Sequence, residues 1–320
     1  MKRQKTFASA ISFEKYRKPT KRELFLAEME QIVPWKELCA RLEPFYPKEG
    51  RGRPPIGLER MLRIHFLQNW FNLSDRGVEE ALYDVESMRR FARIDLGNEP
   101  VPDETTICKF RHLLETHKLA EKLFEAVNLH LASRGLKLSE GTIVDATIIH
   151  APSSTKNREK KRDPEMHSTK KGNQYYFGMK VHVGVDKESK QVHSLVTTPA
   201  NVHDSTRIGE LLHGEEKEVR GDSAYMGKTE EIRTKAPRAV DYTQKRATKH
   251  KKLTEEEKEQ NRLLSKVRSR VEHVFHVVKC VFGFTKVRYK GLAKNTGVVY
   301  VLFALCNLYM ARGFLLSTGG

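Results

Sequence analysis

The run Gly141-Thr-Ile-Val-Asp145-Ala-Thr-Ile-Ile149 limits the fold more than any other stretch of the chain. Its β-branched residues read as a strand covered on both faces, as in the middle of an α/β sheet. An aspartate inside such a strand is costly, because Asp is a poor strand former and a buried carboxylate needs a partner. Something cationic should meet Asp145. That partner is either an arginine or backbone donor in a structural role, or a metal ion.

Before Gly135 the period is helical instead. The 320 residues exceed the usual single domain, so two are expected: a helical region over residues 1–135 and an α/β region over 136–320. Lys plus Arg outnumber Asp plus Glu by 58 to 41, a net charge of +17 with hydrophobics at 38%. A folded basic protein suits a polyanion, and nucleic acid is the commonest one. Cys39, Cys108, Cys280 and Cys306 are scattered with no C-x-x-C pair, which fits a reduced, cytoplasmic protein. Met1-Lys-Arg-Gln-Lys5 is basic but no apolar signal core follows. Val298 to Ala311 is apolar, shorter than the ~20 residues a span needs, and interrupted by Asn307. It reads as a buried closing helix, with no membrane partner.

In the helical region Ser74 reads as an N-cap with Leu73 and Val78 as its hydrophobic staple, and Asp103 as the cap of the next helix but one. A helix over Leu119 to Ser133 should stop at Gly135. Thr105, Thr106, Lys109 and Arg111 near one N-terminus suit a helix-turn-helix reader of DNA, with Lys109 and Arg111 as phosphate contacts. A plain bundle has the same periodicity.

From His150 to Gln174 the chain is basic and turn-rich, with Lys170 and Lys171 near its end: a solvated loop, or a segment that orders on a phosphate backbone. Tyr175 and Tyr176 could stack on bases or simply pack. Strands are expected over Phe177 to Val185 and Gln191 to Thr198, a helix over Asn201 to His213, and a short strand ending at Asp222 with Tyr225 beyond it. Thr254-Glu-Glu-Glu257 is a capping box opening a long helix. At ~100° per residue, Arg268, Glu272 and Lys279 share one stripe of that helix beside the apolar Val271, Phe275, Val278 and Phe282. Such a row is either an ordinary surface pairing or part of a site.

Asp145, Asp222 and Glu272, if they converge, could hold two divalent ions about 3.5–4 Å apart for phosphoryl transfer. Oxygen ligands mean Mg²⁺, with Mn²⁺ as substitute. Asp186 and the pair Asp163 and Glu165 are weaker rivals, and Asp204 is the best one, though a capping role suits it. The histidines show no metal-ligand spacing.

At these residues the chain resembles the DDE transposases of bacterial insertion sequences, of the insertion-sequence-five group. Gly221-Asp222-Ser-Ala-Tyr225 is similar to its D-x-x-Y element, and Arg268, Glu272 and Lys279 to its Y-x2-R-x3-E-x6-K signature, with Ser265 where the tyrosine would fall. Gly52-Arg-Pro-Pro55, Asn72-Leu-Ser74, Pro102-Asp-Glu-Thr-Thr106, Phe110-Arg-His-Leu-Leu114 and Asp163-Pro-Glu-Met-His167 through Lys180 are similar too, so the likeness runs from about Pro34 to Arg312. The resemblance implies a ribonuclease-H-like mixed sheet flanked by helices behind an all-α N-terminal domain, with a short insertion at about 227–262. It also implies binding of double-stranded DNA at the element's ends, cleavage, and joining of 3′ hydroxyls to target DNA, by a dimer or larger assembly near the nucleoid. Asp145, Asp222 and Glu272 would be the metal-binding acids, and Arg268, Lys279 and Tyr225 the DNA-facing residues. A silent DNA-binding regulator, or a metal-dependent nuclease that does not join strands, is the alternative.

Overall fold

A computed structural model describes residues 18–50, 54–136, 138–248 and 252–318. Gly52 and the basic N-terminal residues therefore lie outside the described residues. Seven helices come first: α1 Lys21–Ile32, α2 Trp35–Leu42, α3 Leu58–Trp70, α4 Asp75–Asp84, α5 Glu86–Phe91, α6 Glu104–Thr116 and α7 Leu119–Ser133. Their ends obey local chemistry. Ser74 Oγ accepts from Gly77 N, Asp103 Oδ1 from Thr106 N, and Gly135 takes a left-handed φ of +100° that ends α7.

The sheet follows: β1 Gly141–His150, β2 His167–Lys171, β3 Gln174–Asp186, β4 Val192–Pro199, β5 Glu218–Arg220 and β6 Val240–Asp241. β1, β3 and β4 form an antiparallel meander, while β5 and β6 run parallel to β1 on its other side. The order β4-β3-β1-β5-β6 makes β1 central, and these directions are those of a ribonuclease-H-like sheet. Tight crossing fixes Gly178, where a Cβ would stand 2.0 Å from Ile149 O. α8 Thr229–Lys235, α9 Glu255–Arg268, α10 Arg270–His276 and α11 Leu292–Thr318 complete the chain.

Side chains alternate across β1: Ile143 joins the main apolar cluster and Val144 a smaller one with Ile208, Val219, Tyr225 and Ile232. The main cluster runs unbroken from the N-terminal helices through β1 and β3 to α10 and α11. The two regions are also hooked together directly. Asn72 Nδ2 donates to Gly283 O at 2.9 Å, and Arg288 donates to Leu73 O at 2.5 Å and to the Asn72 side chain.

Several expectations need correcting. Residues 201–213 hold a 3-10 turn, Asp204–Glu210, rather than an α-helix. Residues 167–171 are not loop but β2, paired to the extended start of β3. The closing helix has 27 residues, so by length and composition it could cross a membrane. Most of its apolar window is instead buried against α7, α1, α3 and β4. Asn307, which interrupts that window, is fully buried and binds the edge of β4: its Oδ1 accepts from Val192 N and its Nδ2 donates to Val192 O and Asn128 Oδ1. Asn307→Leu strands those groups, and we expect it to lower unfolding free energy by about 1–3 kcal/mol in urea titrations; an unchanged midpoint would contradict this role.

Candidate active site

Asp145 sits in the middle of β1, 8% exposed, on the face that meets α10. Its Oδ1 accepts from Ala146 N at 2.8 Å and its Oδ2 from Arg268 Nη1 at 2.5 Å. The expected cationic partner is thus an arginine. Asp222 follows β5. A Cβ on the preceding Gly221 would lie 3.0 Å from the Tyr225 ring and 3.1 Å from Val144, so this strand end is pressed onto β1. Asp222 then caps the turn Ser223–Tyr225, its Oδ1 accepting from Ala224 N at 2.8 Å. Glu272 lies in the first turn of α10 with its side chain 61% exposed and Oε1 4.0 Å from Arg268 Nη1.

Electrostatics join these groups. Burial drives the Asp145 carboxyl up from 3.8 to about 6, Arg268 and the Ala146 amide oppose it, and Asp222 and Glu272 push it further up. Tyr225 is buried, and its phenol is raised first by burial and then by Asp145, Asp204 and Asp222. Its hydroxyl has no hydrogen-bond partner among the described residues. Lys279 Nζ donates to Ile148 O of β1 at 2.8 Å, and its pKa is lowered by burial and by Lys171 while Glu272 opposes. Asp145, Asp222, Glu272, Tyr225, Arg268, Lys279 and Lys171 therefore share one electrostatic neighbourhood. Among the described residues no group of three or more His, Cys, Asp or Glu is closed up as a ready-made metal cluster.

The single stripe expected for Arg268, Glu272 and Lys279 is not a continuous helix. The capping box at Thr254 forms, but α9 ends at Ser269, and a π turn over Val277–Val281 follows α10. At these breaks Arg268 turns to Asp145 and Lys279 to the β1 backbone. The apolar residues Val271, Phe275, Val278 and Phe282 are buried as expected.

Arg111 is a correction. It is 8% exposed, paired to Asp75 at 3.0 Å and Glu115 at 2.7 Å, and stacked over Tyr289, so it is a structural residue and not a free phosphate contact. Lys109, on the same helix, is exposed. Lys170 lies on the opposite hairpin face from Lys171, over the Tyr175 ring.

Two features escape sequence reasoning. Asp204 does not cap its turn, a role His203 takes; it pairs with Lys180 at 2.8 Å and its field reaches Tyr225. Ser265 accepts from Gln244 Nε2 at 2.5 Å, tying the segment after β6 to α9. Only the rival status of Asp204 and the unusual Ser265 signalled either.

The raised acid has a measurable consequence. Between about pH 3.8 and 6 the folded state holds the Asp145 proton that the unfolded chain has lost, so this contribution to stability is full below pH 3.8 and falls as pH rises through 6. A shift of this size corresponds to roughly 3 kcal/mol. In urea unfolding, wild type minus Asp145→Asn should decline across that window; a flat difference would refute the assignment.

Comparison with known proteins places the chain in a family. The family described as Transposase DDE domain matches residues 137–308, and Transposase domain (DUF772) matches residues 13–113. A looser overall likeness is to the cryo-EM structure of a piggyBac transposase synaptic complex with hairpin DNA, with TM-score 0.48 and 8% identity over 92% of this chain and 75% of that one. The DDE match alone covers more than half of the 320 residues and includes Asp145, Asp222 and Glu272, so the chain belongs to the DDE transposase domain family.

Proposed function

We propose that this protein binds the terminal inverted repeats of its own insertion sequence, cuts the DNA at those ends and joins the freed 3′ hydroxyls to target DNA. The observation that carries this reading is a carboxylate at the centre of the sheet, destabilised as an anion first by burial and then by two further acids, one after β5 and one on α10. Asp145, Asp222 and Glu272 would hold Mg²⁺, or Mn²⁺ in its place, as a pair of ions. An all-carboxylate donor set suits hard cations, and Asp145 stands to gain most from one. Bound there, the ions supply an activated water or 3′ hydroxyl and a steadied leaving oxygen.

The chain's own residues do the rest. Arg268 is the resting counter-ion of Asp145 and, with Lys279, a fixed cation for DNA phosphates beside the acids. Tyr225, whose hydroxyl has no partner among the described residues, would orient Asp222 or a phosphate once DNA is bound. Because hydrolysis and transesterification are both in-line displacements at phosphorus, one site serves both. Two ends handled together call for at least two chains on the DNA, and the +17 charge suits work beside the chromosome in the cytoplasm.

Two outcomes are expected. Glu272→Gln, at an exposed side chain, should change stability by less than about 0.5 kcal/mol and keep binding to element-end DNA while abolishing Mg²⁺-dependent strand cleavage; cleavage at wild-type rate sinks the acid's role. Binding should also weaken by ~10³ to 10⁵ between 50 and 200 mM salt, as for a protein neutralising ~6 to 10 phosphates. A flat profile in anisotropy titrations would argue against a DNA substrate.

A further inference from the structure

The hairpin made by β2 and the first residues of β3 has no evident part in holding the sheet together. β1 stops pairing with β3 at His150 and Gly178, so residues 167–177 project as a two-stranded arm. Its tip is tight, with Gly172 at a left-handed φ of +61°. Lys170 and Tyr175 are directly opposed and so share one face, with Lys170 Nζ 5.6 Å from the ring centroid. Tyr175 is nevertheless 72% exposed, far more than a packing role explains. Phe177, two residues on and on the same face, is half-buried with Arg162 5.3 Å over its ring. The face is thus a ladder of cations and rings, anchored at Phe177 and open at Tyr175.

By register the Tyr175 and Phe177 face continues along β1 through Ile149 to Asp145, and the opposite face carries Tyr176 and Lys171. Tyr176 lies 5.4 Å from the His150 ring at the end of β1, and Lys171 is near enough to Lys279 to depress its pKa. The adjoining segment adds Lys156, Arg158, Lys160 and Lys161, all exposed. Its acids are turned elsewhere: Asp163 and Glu165 accept from the amides of Gly291 and Leu292, and Glu159 pairs with Lys290. What remains outward is positive charge around an open aromatic ring. That combination fits single-stranded nucleic acid, whose backbone takes the cations and whose bases stack on the ring.

We propose that this arm probes the DNA end in the active site, Tyr175 stacking on an unpaired terminal base while Lys170 and Lys171 hold the flanking phosphates. The inference rests on the DNA-end reading above and adds to it the state of the end that is recognised, a frayed one.

The test uses the full chain and two probes of arbitrary sequence, a blunt duplex of about 30 base pairs and the same duplex with a few unpaired bases splayed at one end. Wild type should favour the splayed probe by about tenfold, within the range for one base stacked on an aromatic ring. Tyr175→Ala should abolish the preference and Tyr175→Trp retain it. Lys170→Ala with Lys171→Ala should weaken both probes and reduce the slope of log affinity against log salt by about 1–2. Equal wild-type affinity for the two probes, or a preference that survives Tyr175→Ala, overturns the hairpin's role and leaves the DNA-end reading standing. Failure of wild type to bind either probe even when it carries the element's own terminal repeats overturns both.

Discussion

The contact between Arg268 and Asp145 is the constraint around which the catalytic half is arranged. A carboxylate in the middle of a central strand is tolerable only with a cation beside it. Arg268 is the last residue of α9, and the chain restarts at Arg270 as α10, whose first turn sets Glu272 Oε1 4.0 Å from Arg268 Nη1. On the other side the end of β5 is pressed onto β1, leaving little room for a side chain at position 221, and Asp222 follows within electrostatic reach of Asp145. The sheet is thus a device for concentrating like charge, and burial makes that charge expensive enough to demand a counter-ion. Active sites in general are where such perturbed groups are maintained.

Much of this was legible beforehand, for identifiable reasons. Asp145 stood out because an acid among β-branched residues contradicts local propensity, and such contradictions mark sites. Caps at Ser74, Asp103 and Thr254 were readable because one side-chain oxygen and one amide three residues on decide them. Features set by distant partners were not. Arg111 looks like a surface cation until Asp75 and Tyr289 are placed around it. β2 has exposed, polar residues on both faces and so lacks the alternation of a strand. The break at Ser269 involves neither Gly nor Pro; Arg268 answers to a carboxylate 123 residues away. The start of α11 was hidden because Lys294, Asn295 and Thr296 interrupt its apolar pattern, although Asn295 is itself buried, donating to Tyr289 O and Gly291 O.

The basic surface divides into cations with structural duties and cations left free. Arg63 is buried and held by Glu30 and Glu59, and Arg111 by Asp75 and Glu115. Net charge alone therefore does not mark a nucleic-acid face. The informative sites are those where lysines and arginines stand outward while neighbouring acids accept backbone amides, as around residues 156–171.

The unbroken apolar cluster has a consequence for how the chain is made. α11, the last of these elements to leave the ribosome, packs against α1, the first. The helical region therefore completes its interior only once α11 is available, unlike a vectorial chain whose early domain matures alone. Chains that lack α11 should thus leave the apolar faces of α1, α3 and α7 uncovered, open to chaperone capture and proteolysis.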